Sequence, residues 1–494
     1  MENMEEDMWQ NPALTREKSE NGLRDGHGQG DIITVVLTAD NRLGHAAYSF
    51  TQNPHKREEG RQRLRRAFQQ VTDFAVGQGV DLFVQAGNLF DSTNPDEEDR
   101  SFVAERLAQL RQAGVRTFAL GGVLDTPATV PVSQDAGNYA THALPPQISY
   151  ARLGALHYLP PAGSVPPANG RAGEPGTRGV YLEPVMVNVR DTLVGICGLG
   201  IQADQDGDPL AHMNVDSDIE RASIPLLVLH APLEAILTRS SSERAGVELS
   251  PPAPIDRSHA AQVTNASIAN QAAFKYILAG YHQSYQQIHI GQTGVIVAGA
   301  TQRVDFNDPD DEPGFVFLGI AADGIRWCHH IPVETLKLRR LRITMPELWA
   351  EGSDSEESPV TERILQRLEP LCTSEALVQI LLTGEVTRSQ YHQLNLSQVR
   401  RSAEERCFAL AIDESGLVFA GDDSSVVSDI AGSRPFEERI SVREELTTLA
   451  DEWIAAAQDE QERQALQITK EEVLFQFHFQ SHFQSQPGSV AAAS

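Results

Sequence analysis

Short apolar runs alternate with amphipathic stretches along the first part of the chain. Residues 32–37 are a run of apolar, largely β-branched side chains, a pattern typical of a buried strand, and the mainly apolar residues 80–86 and 115–120 are predicted as the next two strands. Between them, residues 64–75 and 102–113 carry apolar side chains at helical spacing. Strands and helices in this order predict right-handed crossovers and a mainly parallel α/β sheet.

The middle of the chain is richer in strands, which long polar loops separate. The segment 160–179 holds five prolines and five glycines, so no regular element is expected there. An acidic, serine-rich stretch at 351–359 is typical of a linker. Further strands are predicted near residues 181–189, 193–199, 225–230, 276–279, 294–298, 314–320, 325–331, 376–383 and 407–412, and a helix near 361–368.

Composition narrows the class of protein. A chain of 494 residues has room for about two to four domains. Its formal net charge of −28 excludes a surface coated with nucleic-acid-binding charge, although a local basic groove stays open. The four cysteines lie far apart and form no C-x-x-C pair. Together with the lack of a long apolar run or an apolar N-terminal region, this predicts a cytoplasmic protein without a membrane segment.

The polar residues that matter most follow the predicted strand ends. Ligands of α/β sheets bind outside the carboxyl ends of the strands, so these loops are the candidate site. In chain order the loops read T-A-D-N-R-L-G from residue 38, A-G-N-L-F-D from residue 86, L-G-G-V-L-D from residue 120, L-V-L-H from residue 227 and A-G-Y-H-Q from residue 279.

In order and spacing, these loops resemble the calcineurin-like metallophosphoesterases. Within that family they look like the nuclease subunit of the SbcCD double-strand-break repair complex, an SbcD-type protein. The family's loops read A-D-x-H-L-G, A-G-D-L-F-D, G-N-H-D, a strand ending in His, and G-H-x-H. The resemblance implies an α/β fold, namely a metallophosphoesterase-type β-sandwich flanked by helices, with a small α+β cap domain and a helical C-terminal tail.

The resemblance also implies a division of the chain. A flexible leader is expected over residues 1–30 and a metallophosphoesterase-like domain over 31–335. The cap domain would follow at 336–432. A helical and aromatic tail at 433–484 and a disordered end at 485–494 complete the prediction.

The family's site holds two divalent metals such as manganese, which clamp a phosphate and ionise a water. The resemblance places seven ligand positions on this chain, of which only Asp40 and His230 keep the family's residue type. The histidine that assists the leaving group corresponds to Leu124. The other five ligand positions are Arg42, Asn88, Val123, Tyr281 and Gln283.

These replacements oppose metal binding for physical reasons. Asn88 is a neutral amide where a bridging carboxylate would offset two dications, and Val123 cannot coordinate at all. Arg42 carries a permanent cation. A cation and a dication a few Å apart repel by several kcal/mol at an effective dielectric of about 20. We therefore expect no cofactor and a degenerate site, in which Arg42 pairs with Asp40, Asp91 or Asp125 in place of a metal.

Each remaining polar residue also has a structural interpretation. Asp91 and Asp125 are the residue type that satisfies loop amides. His230 is expected as a hydrogen-bonded core histidine, with residual metal binding as the alternative. His282 is expected as a polar loop residue, and it could replace a lost ligand only after a one-residue shift.

Two features suggest partners. Basic residues cluster twice, and each cluster could contact DNA phosphates or be a solvated face balanced by Glu58 and Glu59. An apolar stripe in the tail could pack on its own domain or, as the resemblance implies, dock on an SbcC-type coiled-coil ATPase. A homodimer stays open. The DNA candidates are Arg61, Arg63, Arg65, Arg66, Lys337, Arg339 and Arg340, and the docking candidates are Leu446, Leu449, Trp453 and Ile454.

Three functional hypotheses follow. The leading one is a catalytically degenerate relative of the DNA repair exonucleases that acts as a scaffold or regulatory subunit. The second is an active but divergent metal-dependent phosphoesterase or DNA exonuclease with an unusual ligand set. The third is a module that holds a DNA end or a nucleotide without cutting it.

Overall fold

The architecture comes from a computed structural model of the chain. It describes ten segments, and every structural statement below refers to them. They are residues 32–45, 54–127, 144–159, 180–200, 207–211, 213–237, 262–304, 306, 311–350 and 359–419. None of the helices in these segments is long and apolar enough to cross a membrane.

The described segments form strands and helices in the following order. The strands are β1 (Ile33–Thr38), β2 (Leu82–Ala86), β3 (Arg116–Leu120), β4 (His157–Leu159), β5 (Val180–Leu182), β6 (Val185–Val189), β7 (Thr192–Gly200), β8 (Met213–Val215), β9 (Ile224–His230), β10 (Tyr276–Ala279), β11 (Gln286–Ile290), β12 (Thr293–Val297), β13 (Gly314–Ala321), β14 (Gly324–Pro332), β15 (Lys337–Thr344), β16 (Ala376–Val386) and β17 (Ala409–Phe419). The helices are α1 (Pro54–Gln78), α2 (Glu97–Gln112), α3 (Gln147–Arg152), α4 (Asn265–Asn270), α5 (Met345–Ala350), α6 (Val360–Leu368), α7 (Arg388–Gln393) and α8 (Leu396–Glu404), with 3-10 turns at Ser217–Arg221 and Glu369–Leu371.

Two six-stranded sheets make up the main domain. The first has the order β14-β13-β1-β2-β3-β4, and the second has the order β11-β12-β10-β9-β7-β6. Strands β1 to β4 run parallel, as do β7, β9, β10 and β12, whereas β6, β11, β13 and β14 are antiparallel. The predicted mixed α/β class is confirmed.

The sheets pack face to face because their strands present apolar side chains on both sides. In β1, Val35 and Leu37 enter the core between the sheets, while Val36 faces the helices. In β9, Val228 enters the same central core and Leu227 faces outward. Helices α1 and α2 cover the first sheet, so the domain is a β-sandwich flanked by helices.

The predicted strand near 181–189 is two strands, β5 and β6. They are separated by Glu183 and Pro184, and proline has no N–H group to donate to a sheet. The stretch 351–358 that is typical of a linker lies outside the described residues. The helices on either side, α5 and α6, both belong to the unit of the third sheet.

A third sheet, in the order β15-β16-β17, follows the main domain. All its strands are parallel, and helices connect them. Parallel neighbours need such crossovers, so this cap is an α/β unit in detail and not the mixed α+β unit that the resemblance implied.

Helix α1 fastens the cap to the main domain. The Arg63 guanidinium lies 2.8 Å from the Glu375 carboxylate and 5.4 Å from the centre of the Phe408 ring. Lys56 Nζ donates to the carbonyl oxygens of Glu404 and Cys407. Apolar packing among Phe306, Leu336, Leu377, Phe408 and Ala409 completes the contact.

Candidate functional site

The polar loops predicted from the sequence come together at one edge of the sandwich. Asp40 and Asn88 lie two residues beyond the ends of strands β1 and β2 of the first sheet, and strand β9 of the second sheet ends at His230. A Cβ atom placed on Gly87 would lie 2.2 Å from His230 Nδ1, so only glycine permits the two sheets to approach this closely.

The backbone of these loops is left-handed at non-glycine positions. The φ angles are 48° at Asp40, 49° at Arg42, 54° at Asn88 and 77° at Tyr281. Such conformations are uncommon for residues with a side chain and cost of order 1–3 kcal/mol each. They cluster at functional sites, so this edge keeps the backbone shape of one.

Neighbouring backbone groups hold the strained loops in place. Asp40 N donates to Gly87 O, and Arg42 N donates to Asn88 O, each at 3.0 Å. Leu43 N donates to Leu89 O, also at 3.0 Å. Backbone hydrogen bonds therefore connect the loops after β1 and β2, and these bonds do not depend on the side chains of the loops.

The Asp40 carboxylate is buried and binds protein groups. Its Oδ1 accepts from Asn88 Nδ2 and its Oδ2 accepts from the Tyr281 N–H, both at 2.8 Å. Burial raises the pKa of Asp40, although His230, the Asn88 amide and the other neighbours act against the rise. Both carboxylate oxygens thus serve the loops around them.

His230 is fully buried beneath these loops. Its Nδ1 lies 2.8 Å from the Ala86 carbonyl oxygen, which can only accept, so the proton is on Nδ1. Nε2 keeps a lone pair and has no hydrogen-bond partner among the described residues. Burial lowers the pKa of His230 and keeps the ring neutral, while Asp40 acts in the opposite direction.

Asn88, Val123 and Leu124 contribute one amide side chain and two apolar side chains to the site. Asn88 Oδ1 accepts from the Leu124 N–H at 3.0 Å, and its amide nitrogen donates to Asp40. Val123 packs against the outer apolar core of the second sheet. The side chains of Val123 and Leu124 offer neither a lone pair nor a transferable proton.

Asp125 is a buried structural carboxylate. Its Oδ1 accepts from the Gly122 N–H at 2.7 Å and its Oδ2 accepts from the Phe90 N–H at 3.2 Å, with Gln147 as a third donor. Burial raises the pKa of Asp125 to about 7, against the effect of these hydrogen bonds. Its position matches the expectation that it satisfies loop amides.

Arg42 pairs with Asp91 at the partly exposed rim of the site. Arg42 Nε lies 2.8 Å from Asp91 Oδ1, and His45 Nδ1 lies 2.8 Å from Asp91 Oδ2. Burial of Asp91 acts to raise its pKa, but the His45 hydrogen bond and the Arg42 charge outweigh it, so the pKa is lowered. Of the two expectations for Asp91, pairing with Arg42 is observed, whereas the role of satisfying loop amides was wrong, because the side chains of Arg42 and His45 contact its two oxygens. No pattern in the sequence indicated His45 as a partner of Asp91.

The residues that follow β10 have structural contacts. His282 Nε2 accepts from the Leu233 N–H at 2.9 Å, and burial lowers the pKa of His282 to about 4. Gln283 Oε1 is buried without a hydrogen-bond partner among the described residues. His282 therefore fixes a neighbouring loop, as the structural interpretation of this residue expects.

These residues do not fit the two-metal centre that the resemblance implies. The Asp40 oxygens are engaged, Arg42 is held at the rim by Asp91, and Val123 is apolar. His230 Nε2 is an available donor, but no group of three or more His, Cys, Asp or Glu side chains in the described segments could hold a metal ion.

Most of the predicted DNA-contact residues of α1 are paired with carboxylates. Arg63 bonds Glu59 and Glu375, and Arg65 bonds Asp99 and Glu98. Arg61 lies 3.8 Å from Asp96. In β15, Arg340 donates to Gln379 and to the Phe306 carbonyl, Arg339 is half-buried, and Lys337 is exposed, as is Arg66 in α1.

Comparison with known proteins gives a short match. The chain is similar to the DNA double-strand break repair protein Mre11 of Methanosarcina mazei, with 38% identity over 90 residues. That is 18% of this chain and 14% of the relative. The Methanosarcina acetivorans protein of the same name is 37% identical over 90 residues, with the same coverage. This chain thus matches about one seventh of the length of either relative.

These matches support a relationship to the calcineurin-like metallophosphoesterases. No protein-family model matches the chain. Among solved structures, a Staphylococcus aureus protein described as a 5'-nucleotidase in complex with alpha-ketoglutarate aligns with 61% of this chain and 54% of its own. Its identity is 13% and its TM-score 0.30.

Proposed function

We propose that this chain is a non-hydrolysing relative of the metallophosphoesterase-type DNA repair nucleases and acts as a scaffold or regulatory subunit. The similarity to Mre11, which is named as a DNA double-strand break repair protein, supports a role in DNA repair. The finer SbcD-type assignment and the SbcC-type ATPase partner rest on the loop motifs and are part of the proposal.

One observation carries the loss of hydrolysis. The Asp40 carboxylate, one of two retained ligand types, is bonded to the Asn88 amide and the Tyr281 N–H. Asn88 itself stands where two metals would need a bridging carboxylate. Without the bridging carboxylate, no pair of metals is held to ionise a water. Leu124 cannot transfer a proton to the leaving group, so both steps of the hydrolysis lack the residues they need.

Metal analysis together with nuclease assays tests the proposal. The purified chain should hold less than one tightly bound transition metal and should not hydrolyse DNA with manganese above background. Asp40→Ala serves as the matched control, because its background rate should equal that of the parent. Two metals per chain, with turnover that Asp40→Ala abolishes, would contradict the proposal.

The geometry of His230 favours the second hypothesis, a divergent metal-dependent phosphoesterase. Its Nδ1–H is held by a backbone carbonyl and its Nε2 lone pair is unpartnered among the described residues, which is the arrangement of a metal-ligating histidine. If this hypothesis is correct, metal uptake and activity are both lost in His230→Gln.

The partner is tested by co-purification. The predicted docking stripe, Leu446 to Ile454, lies outside the described residues and stays a prediction from the sequence. Tryptophan is over-represented among interface hot spots, so Trp453→Ala should weaken capture of an SbcC-type ATPase by ~2 kcal/mol or more. A lower melting temperature with unchanged capture would instead mean that the stripe packs on its own domain.

A further inference from the structure

Strand β17 lies at an edge of the cap sheet. In the described segments it pairs with β16 on one side and has no strand neighbour on the other. An edge strand presents backbone N–H and C=O groups that its own sheet does not use, and these groups can pair with a further extended segment. Whether the edge accepts such a segment depends on the side chains that it carries.

The two edges of the cap sheet differ in charge. At the opposite edge, β15 carries four basic residues among eight, and such charges discourage the addition of a strand. The first part of β17 runs from Ala409 to Ile412 and is entirely apolar. The register irregularity between β16 and β17 lies beyond it, after Asp413. Residues 409–412 are thus a regular, uncharged edge to which a strand can be added.

A cavity opens along the same part of β17. Its volume is about 190 Å³, and it is lined by Leu410, Ala411 and Ile412 together with Arg400 and Glu404 of helix α8. Successive side chains of a strand point to opposite faces, so a cavity that touches three consecutive residues lies at the strand's edge and not over one face. Pockets for drug-sized ligands hold about 300–1,000 Å³, so this edge cavity suits a side chain better than a free small molecule.

The chain itself contains a segment that matches this edge. Residues 473–479, which lie outside the described residues, read V-L-F-Q-F-H-F. With the period of a strand, Val473 and the three phenylalanines share one face, and Leu474, Gln476 and His478 share the other. The segment contains no Asp, Glu, Lys, Arg or Pro, so it would be prone to aggregate if it were left uncovered.

We propose that residues 473–479 pair with the edge of β17 in the same molecule and form a fourth strand of the cap sheet. Residues 420–472 connect the two segments, and this length permits a parallel or an antiparallel arrangement. The phenylalanines face the helix-covered side of the sheet, because Ile412 is only partly buried against that core and an aromatic ring can enter the edge cavity. Gln476 and His478 then face the other side.

A segment of the same chain is a better occupant than a separate partner. Because it is tethered, it pairs without the loss of translational and rotational freedom that association of two molecules costs. One pairing covers both the uncharged edge and the aromatic segment. It also fixes both ends of residues 420–472, which include the predicted docking stripe. The inference does not rest on the proposed function, since it uses no residue of the candidate site.

Hydrogen exchange of the full-length chain, followed by mass spectrometry, tests the proposal. Peptides that cover residues 409–412 and 473–479 should both exchange slowly in the monomer. Adjacent N–H groups of a strand point to opposite sides, so replacing two neighbours, Gln476→Pro with Phe477→Pro, removes one N–H that faces β17 in either register. Exchange of both peptides should then be faster by about tenfold or more. Unchanged exchange in β16 would show that the cap of this variant is folded.

The matched control places two prolines beyond the segment. Gln484→Pro with Ser485→Pro should leave exchange at residues 409–412 and 473–479 as in the parent. The proposal is overturned if residues 473–479 of the parent exchange at the rate of an unstructured chain, or if the prolines at 476 and 477 leave exchange of residues 409–412 unchanged. Protection found only in a dimer and lost on dilution would also overturn it, because the added strand would then come from a second copy.

Discussion

A carboxylate at the end of a strand can serve a metal or the protein around it. In this chain the aspartates serve the protein. Asp40 binds an amide and a backbone N–H, Asp125 binds two backbone N–H groups and Gln147, and Asp91 binds Arg42 and His45. Hydrogen bonds and the Arg42 cation thus stabilise these carboxylates, as dications would in a metal centre.

The buried carboxyl of Asp125 should make stability depend on pH. Its native pKa is raised to about 7, so between pH 4 and 7 the native state holds a proton that the unfolded state has lost. The contribution of Asp125 to stability is therefore greatest below its unfolded pKa and falls as the pH rises to 7, by ~2–4 kcal/mol. Urea unfolding from pH 5 to 8 measures the slope.

Asp125→Asn should remove this contribution to the slope, because asparagine is neutral at every pH. Asp91→Asn is the control, since the pKa of Asp91 is lowered and its contribution changes only in more acidic solution. Equal slopes in the parent and Asp125→Asn between pH 5 and 7 would show that Asp125 ionises normally.

The Arg42–Asp91 pair should contribute a modest coupling energy. Both side chains are about one-fifth exposed, at 20% and 23%, so solvent weakens their attraction. A double-mutant cycle with Arg42→Ala and Asp91→Asn should give ~1 kcal/mol at pH 7. Because Asp91 has a lowered pKa, its stabilising effect is present above pH 4 and is lost as the pH falls further. A zero coupling energy at pH 7 would mean that Arg42 is only a surface residue.

Sequence patterns predict which loops meet but not which side chains pair. The order of strand ends placed Asp40, Asn88 and His230 together, and the structure has them at one edge. Asp91 was one of three partners expected for Arg42, but which of the three would pair, and the contact with His45, could not be predicted, because spacing along the chain does not encode how loop residues meet in space. His45 stands next to a glycine and carries no pattern of its own.

At the scale of elements, backbone hydrogen bonds set the shape of the loops at the candidate site. The left-handed residues are held by hydrogen bonds between the loops after β1 and β2, so the geometry depends on the sheet and not on a bound ion. Continuous apolar runs made these strands predictable. Strands β11 and β15 were missed because Gln286, His289 and the arginines of β15 interrupt their apolar pattern.

The contact between α1 and the cap should depend on Arg63. This side chain is 8% exposed, bonds Glu375 and lies over Phe408, so Arg63→Ala should cost ~1–2 kcal/mol in unfolding free energy. Chemical denaturation monitored by fluorescence gives the value. The cap should also become more accessible to protease.

Arg66→Ala is the matched control on the same helix. Arg66 is exposed and forms no ion pair with the described residues, so its replacement should change stability by less than ~0.5 kcal/mol. Similar losses in the two variants would indicate that the cap contact does not govern the result.

At the scale of the whole molecule, charge works against DNA binding. The formal net charge is −28, and carboxylates within 4 Å pair Arg61, Arg63 and Arg65 of helix α1. The exposed candidates Arg66 and Lys337 are left to contact phosphates. Local basic residues were visible in the sequence, as was Glu59, which pairs with Arg63, but the other carboxylate partners lie in or just before α2 and in the turn before β16, which no local pattern reveals.

Duplex DNA binding by the isolated chain should therefore be weak and shallow in its salt dependence. Counterion release gives a slope of about −0.9 per phosphate contact, so two contacts predict a slope near −2 in a plot of log affinity against log salt. Fluorescence anisotropy with a labelled duplex at salt concentrations from about 50 to about 200 mM measures this slope. Arg66→Ala with Lys337→Ala should remove most of the slope. A slope of about −5 or steeper in the parent would require several more phosphate contacts than these two residues supply, and it would favour the module that holds DNA without cutting it over the scaffold.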